Sequence, residues 1–453
     1  MSKTIKLRKG LDIRLLGEAE KVKTSVDAPE TVAIKPPDFH LLTPKMEVKA
    51  GDKVKAGSVL FHNKYNDKIK FVSPVSGEVA DVVRGAKRRI LEVVINADAE
   101  IQYEQATVPA LENMSRDEVL KTLLDSGLWP FVRQRPIDII ADPDETPKAI
   151  FISAFNSAPL APDMDFIVHG QDELFQKGID VLSKLTDGKI HLNVKGNGAP
   201  DAAFMNAKGV QINNIYGKHP AGNVGIQIHH IDPLNKGEVI WFVNPQDLII
   251  IGKYFSTGMF DASKIVALTG SEVSNPKYIK TIIGTNLSKL VEGNIDGDNV
   301  RYISGNVLTG EKVEPNGYLG YYDNQITVIP EGNQLKFVLT KGWMAPGFDK
   351  FSNSMLFPTW LTGSKKFRLD TNTNGEERGF VVTGEMEKVF PMDIYPMYLV
   401  KAIMVNDIDA MENLGIYEVA PEDLALCEYV CTSKVNIQSV VRDGLDVIYE
   451  ECM

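Results

Sequence analysis

The sequence predicts an α/β multidomain protein, and three patterns predict it. Short apolar runs broken by Gly51, Gly57 and Gly77 fill the first hundred residues, strands and helices alternate from Lys148 to Gly258, and helical spacing takes over after Asp393. A chain of 453 residues, 43% apolar and 8% aromatic, has ordinary globular composition and the length of about three domains. The patterning divides it more finely, into residues 1–103, 104–258, 259–335, a mixed connecting segment at 336–392, and a helical unit at 393–453.

Bulk properties exclude several classes. No run approaches the roughly 18 uncharged apolar residues of a membrane helix; even Ile394 to Val405 contains Pro396 and Lys401. The start, MSKTIKLRKGLDIRL, lacks the apolar core and small-residue cleavage site of a secretion signal. Three cysteines in so long a chain argue for a reducing compartment, so a cytoplasmic protein is expected. The net charge of −11 is unevenly spread: residues 1–90 hold nineteen Lys and Arg against eleven Asp and Glu, and the remainder thirty against forty-nine. The basic end suits an acidic partner subunit or anionic lipid, and the acidic remainder argues against a nucleic-acid surface. An unevenly charged, solvated surface is the plain alternative.

Taken in order, PKMEVKAGDKVKAGSVLF and KIKFVSPVSGEVADVV alternate Val48, Val54, Val59, Phe61, Phe71, Val75 and Val79 with turn glycines, which reads as short strands. The arrangement resembles the barrel-sandwich fold of biotin and lipoyl carrier domains. Such domains carry their modified lysine a fixed distance before the Pro-x-x-Gly that is Pro74 to Gly77 here, and that count falls on Asn66. An amide forms no acyl link, so a structural role without biotin or lipoyl is expected.

SRDEVLKTLLDSG reads as a punctuated helix: Ser115 caps, Glu118 completes a capping box, Val119, Leu120, Leu123 and Leu124 make the buried stripe, and Gly127 stops it. LWPFVRQRP follows, read as an irregular loop. Trp129 and Phe131 offer flat apolar faces beside the donors of Arg133, Gln134 and Arg135, a combination suited to a ring bearing carbonyl oxygens. The alternative stays open: the aromatics anchor the core while the arginines pair with Asp138 or Asp142.

AIFIS, KIHLNV and GEVIWFV read as buried strands, QDELFQKGIDVLSKL as a helix, and NPQDLIIIGKYF as a helix opened by Asn244 and Pro245. The alternation predicts a Rossmann-like domain with ligands at the carboxyl ends of its strands. Two loops there draw attention, SAFNSAPLAPDMD, with Phe155, Pro159 and Leu160, and YGKHPAGNVGIQIHHIDP, with His219 and Pro220. In the second, Gly217, Gly222 and Gly225 permit close backbone approach, and a helix starting near Asn223 aims free N–H groups at an anion or carbonyl. The chain has neither a Walker loop nor GxGxxG, so no motif supports NAD binding. Adjacent His229 and His230 point to different sides of their element, which argues against a metal.

From Ala267 to Gly310 the pattern gives a strand ending at Leu268, a turn through Gly270 and Pro276, a strand Tyr278 to Ile283, a helical turn opened by Thr285 or Asn286, and a strand Tyr302 to Val307. That order suits a small β-grasp module. The words LTGSEVSNP, IIGTNLSKL and ISGNVLTG resemble the soluble-ligand-binding β-grasp (SLBB) module of electron-transfer subunits. Together with HPAG, GWMAPGFDKFS and FPMDIYPMYLVKAI they resemble the NqrA family of the sodium-translocating NADH:quinone oxidoreductases (Na+-NQR), over nearly the whole chain. The α/β and β-grasp pair also resembles the NADH- and FMN-binding subunit of respiratory complex I, but GKHPAGNVG interrupts that family's glycine loop with His219 and Pro220. The C-terminal part reads as a bundle of about four helices, with Asp393, Pro421 and Asn436 at their starts. Its relative in the ferredoxin-linked Rnf complex carries Cys-x-x-Cys runs; Cys427, Cys431 and Cys452 are the only cysteines here, and an all-cysteine 4Fe-4S cluster needs four.

The Na+-NQR resemblance implies a peripheral subunit on the cytoplasmic face of the membrane, in a complex that couples NADH oxidation and quinone reduction to sodium translocation. It implies quinone as substrate and the other Na+-NQR subunits, above all the membrane-embedded NqrB, as partners. Flavin, iron–sulfur cluster and NADH are expected on other subunits, with no catalytic residue on this chain. The expected quinone contacts are Trp129, Phe131, Arg133, Arg135, Phe155, Pro159, Leu160, His219 and Pro220. The alternatives are an Rnf-type ferredoxin:NAD oxidoreductase subunit or a non-enzymatic scaffold.

Overall fold

The glycine-broken runs of the first hundred residues close into two antiparallel sheets. In the computed structural model, which describes residues 2–25, 29–337, 339, 342, 350–351, 361 and 363–453, strands Thr31–Ile34, Ile90–Ala97, Gly77–Arg84 and Lys53–Val54 form one sheet, and Pro44–Met46, Val59–Asn63 and Asn66–Val72 the other. Alternation along the strands buries Phe61, Phe71, Val79, Val93 and Ile95 between them. Gly77 is required where the sheets turn: with φ 153° its Cβ would meet Asn96 O at 1.8 Å. The hairpin pairs Asn63 with Asn66, so the two turn residues are Lys64 and Tyr65. Asn66, the tip by sequence count, instead opens the return strand, because the turn is only two residues long.

The middle of the chain forms a seven-stranded sheet, ordered Thr4–Lys6, Gln211–Tyr216, Lys189–Lys195, Ala149–Ser153, Ile240–Phe242, Arg133–Arg135, Ile139–Ile140. The first five strands run parallel; Arg133–Arg135 pairs antiparallel to the fifth, and Ile139–Ile140 antiparallel to it in turn. The stretch expected as an irregular loop instead contributes a short helical turn, Trp129–Phe131, and a strand, Arg133–Arg135, which joins the sheet through the distant Ile240–Phe242 and pairs on its other side with the nearby Ile139–Ile140. Helix Arg116–Asp125 forms as its caps predict, with both halves of the capping box made and Gly127 at φ 70° beyond it. Helices Asp172–Leu182 and Pro245–Thr257 cross at glycines: a Cβ on Gly178 would sit 2.4 Å from Leu248 O, and one on Gly252 2.0 Å from Leu174 O.

The β-grasp sheet has six strands, ordered Glu311–Val313, Val300–Ser304, Gln325–Pro330, Ser263–Thr269, Lys277–Ile282, Glu20–Ser25. Asn286, one of the two expected caps, accepts from Ser288 N and opens helix Leu287–Val291. The strand expected to reach Val307 ends at Ser304, where Asn306 turns the chain by accepting from the Leu308 and Thr309 amides. The first strands lace the units together, Thr4–Lys6 edging the α/β sheet and Glu20–Ser25 the β-grasp sheet.

One apolar core runs continuously from the barrel through the α/β unit into the β-grasp. A second fills the helices Glu385–Val389, Pro396–Met404, Ile408–Asn413, Pro421–Val430 and Ile437–Cys452. Pro421 and Asn436 stand at helix starts as expected, whereas Pro396, not Asp393, opens the helix before them. Cys427 and Cys431 are buried in this core. The words GWMAPGFDKFS, at 342–352, fall mostly outside the described residues. Among the described residues no helix is long and apolar enough to cross a membrane.

Candidate functional site

The carboxyl ends of strands Ala149–Ser153 and Ile240–Phe242 open onto a cleft of about 120 Å³. Binding clefts of drug-sized ligands run to ~300–1,000 Å³, so this one admits a single ring and leaves any long tail outside. Phe155 and Phe242 give it apolar wall, while Arg133, Asn156, Asn244 and Asn324 give it polar groups. Local sequence explains each placement. Arg133 starts the strand paired with Ile240–Phe242, opposite Phe242; Asn244 caps the following helix through its backbone, with Pro245 at the first helical position.

Arg133 lies over two rings, its guanidinium carbon 4.9 Å from the centroid of Phe242 and 4.8 Å from that of Tyr322. Its Nη2 donates to Asp138 Oδ1 at 2.6 Å, and among the described residues its other N–H groups make no hydrogen bond. A guanidinium carries five donors in a rigid fork, so most of this one's capacity is unspent beside the cleft.

The neighbouring Arg135 is differently used. It is 1% exposed, donates through Nη1 to Asp423 at 3.0 Å and through Nη2 to Glu422 at 2.6 Å, and thereby joins the α/β sheet to helix Pro421–Val430. Burial pushes the Glu422 carboxyl up to about 7, Arg135 opposing the shift. Ile137 and Asp138, at φ 74° and 63°, hold left-handed backbone within this cluster, where Arg442 Nη1 donates to Ile137 O at 2.6 Å.

The other expected residues fall into two groups. Trp129 and Phe131 are fully buried: the Trp129 indole donates to Ala141 O at 2.7 Å and meets Trp241 edge to face, and Phe131 stacks between Phe260 and Tyr321. Their faces are spent on the core behind the cleft. Phe155 lines the cleft itself. Pro159 accepts from Gln325 through its carbonyl, and Leu160, at φ 58°, leans on the C-terminal core. His219 is buried, its Nδ1 3.0 Å from Ser157 Oγ, which also accepts from Gly222 N, so the two attention-drawing loops are locked together. Burial pushes the His219 imidazole down to about 4, and its Nε2 has no partner among the described residues. Pro220 is buried beside it.

Helix Val224–Ile231 starts after Asn223 as expected, but its first turn faces a carboxylate of the same chain: a Cβ on Gly225 would lie 2.2 Å from Asp423 Oδ2. His229 and His230 fasten the same boundary. His229 Nδ1 lies 2.7 Å from Glu418 Oε2 while its Nε2 accepts from Asp393 N, and His230 Nε2 donates to Pro391 O. Among the described residues no group of three His, Cys, Asp or Glu is arranged to hold a metal.

Phe242, Asn324 and Tyr322 are the residues at the cleft that the sequence reading did not single out. Phe242 was within reach, since it ends a buried strand at the carboxyl edge of the sheet; Asn324 and Tyr322 arrive from the β-grasp unit, and nothing local marks them.

Family models match three stretches of the chain: the "NqrA N-terminal barrel-sandwich hybrid domain" at residues 5–98, the "NqrA second alpha/beta domain" at 114–260 and the "NQRA C-terminal domain" of the SLBB type at 265–314. Among curated relatives, the NqrA subunit of the Na(+)-translocating NADH-quinone reductase of Neisseria meningitidis serogroup A is 39% identical, covering 99% of this chain and 100% of that protein. Its counterpart in Pasteurella multocida is 38% identical over 99% and 100%. The Rhodopirellula baltica protein of the same name is 36% identical over 98% of each chain.

Proposed function

The chain belongs to the NqrA family of the Na+-translocating NADH-quinone reductases, and on that premise we propose that it receives the quinone of the complex, in the cleft beside Arg133 and Phe155. Membership makes it part of an oxidoreductase complex that works between NADH and quinone and moves sodium ions. The observation that carries the cleft is the Arg133 guanidinium, placed over both Phe242 and Tyr322 with donors to spare. A quinone ring needs that pairing, aromatic wall for its face and charged or amide N–H groups for its carbonyl oxygens. Asn156, Asn244 and Asn324 stand at the same opening.

Within this reading Trp129, Phe131 and Arg135 hold the cleft from behind, while Pro159, Leu160, His219 and Pro220 set the two loops that border it. The chain's residues bind and orient; electrons arrive from carriers on other subunits, where NADH is also oxidised, and flavin, iron–sulfur, biotin and lipoyl groups have no place here. The protein sits on the cytoplasmic face and docks on the membrane-embedded NqrB. We propose the division at residues 103, 258, 335 and 392 for its units, with the strands Thr4–Lys6 and Glu20–Ser25 of the first serving as sheet edges for the next two.

In the assembled complex, Arg133→Ala and Phe155→Ala should each raise the KM for quinone by about tenfold, the loss of a charged hydrogen bond or an apolar wall. NADH oxidation by a soluble artificial acceptor should be unchanged. An unaltered quinone KM in both variants rejects the cleft.

A further inference from the structure

A second cleft, of about 740 Å³, opens between the barrel and the C-terminal helix Ile437–Cys452, and shares no lining residue with the first. Its size lies within the ~300–1,000 Å³ of small-molecule sites. Two kinds of side chain meet there. Leu41, Tyr65 and Tyr449 line it while remaining 38%, 77% and 41% exposed, and Arg84, Arg88 and Arg89 line it as well.

These arginines differ from the paired ones elsewhere in the chain. Arg133 and Arg135, and likewise Arg301, Arg368 and Arg442, have carboxylate partners. Arg84, Arg88 and Arg89 have none among the described residues; the hydrogen bond made within the trio runs from Arg84 Nη1 to the Arg88 carbonyl at 3.3 Å. Lys64, at the turn beside Tyr65, adds a fourth cation with no carboxylate partner among the described residues and lies over the Tyr65 ring at 5.6 Å. The backbone is committed too. Lys87 and Arg88 sit in succession at φ 54° and 61°, and Leu41, in another of the lining loops, at φ 59°, a conformation non-glycine residues adopt at a cost. His40 Nε2, 2.6 Å from Asp446 Oδ1, ties that loop to the C-terminal helix, so the walls are fixed to each other.

Guanidinium forks match phosphate oxygens, exposed tyrosines suit the boundary between hydrocarbon and water, and the first 90 residues carry the chain's excess of basic groups. We propose that this cleft binds an anionic phospholipid, its phosphate on Arg84, Arg88 and Arg89 and its glycerol and upper acyl carbons against Leu41, Tyr65 and Tyr449. The site would seat the protein on the membrane surface. It stands independently of the quinone cleft, since neither its residues nor its test involve quinone.

The test is flotation of the full chain with phosphatidylcholine vesicles, with and without about 30% phosphatidylglycerol to set the surface charge. Two triple variants are compared: Arg84→Gln, Arg88→Gln and Arg89→Gln, and as control Lys189→Gln, Lys195→Gln and Lys208→Gln, exposed lysines of the α/β unit. The unaltered chain and the lysine control should bind the anionic vesicles alike, and the arginine variant about a hundredfold more weakly, roughly fivefold per charge removed. Equal losses in both variants would show general charge attraction and overturn the site. Binding of inorganic phosphate that the arginine variant loses, with no vesicle binding, would make it a site for a free anion and overturn the lipid. No binding to either would hand the cleft to an acidic segment of a neighbouring subunit and overturn it equally.

Discussion

Arg133 and Arg135 stand two positions apart on one strand and do opposite work, because strand alternation sends neighbouring odd positions to the same face but the surroundings differ along it. Arg135 meets the buried carboxylate of Asp423 and the half-exposed one of Glu422, while Arg133 meets two rings and an opening. LWPFVRQRP announces the residue types, aromatics and donors, but not this sorting, which depends on partners near residues 242, 322 and 423. His219 offers a check on the buried surroundings of the loops. Its imidazole is held neutral down to about 4, below the ordinary 6.5, so the unfolded chain takes up a proton that the folded chain refuses. Stability from this group is complete above about pH 6.5 and is lost as pH falls toward 4. Chemical denaturation between these pH values should therefore show the parent losing up to about 1.4 kcal/mol per pH unit relative to His219→Asn. Parallel pH profiles for the two would mean His219 is solvated in the folded protein.

Elements whose signals are local were legible, and those made by distant pairing were not. Helix Arg116–Asp125 carries its own caps and stripe; Asn286 caps its helix beside it; the parallel core of the α/β sheet follows from strand and helix alternation. The strands Thr4–Lys6, Glu20–Ser25 and Arg133–Arg135 were not legible, since each is a short polar or mixed run that becomes a strand only by joining a sheet assembled elsewhere. The helix Val224–Ile231 shows the same dependence on context. An exposed glycine replaced by alanine in a helix gains about 1 kcal/mol, yet Gly225 lies against Asp423, where an added Cβ would come within 2.2 Å of Oδ2. Gly225→Ala should instead destabilise by about 1–3 kcal/mol, the cost of overpacking, and loosen the C-terminal helices. Faster proteolysis of those helices, with a lower melting temperature, is the expected result; a stabilised variant would mean the helix end is open to solvent.

At the scale of the molecule, three units share one continuous core, and the helical unit is joined to them both by its own core, which takes in Ile13, Leu15, Ile137 and Ile226, and by polar contacts, Arg135 to Asp423 and Glu422, His229 to Glu418, and His230 to Pro391. That construction fixes the cleft among the α/β strands, the β-grasp residues Tyr322 and Asn324, and Glu422 of the C-terminal helices. It also explains why the family was readable from words scattered along the chain while the cleft was only partly so: the words that hold Arg133 and Phe155 are local, and Phe242, Asn324 and Glu422 join them from elsewhere in the chain. The most direct measurement is photolabelling of the intact complex with an azido-quinone, followed by mapping of the labelled peptides. Label on the peptides holding Phe155 and Asn156, or Phe242 and Asn244, suppressed by excess quinone and by Arg133→Ala, is the predicted result. Label confined to other subunits, or on this chain but away from those peptides and indifferent to Arg133→Ala, would contradict it.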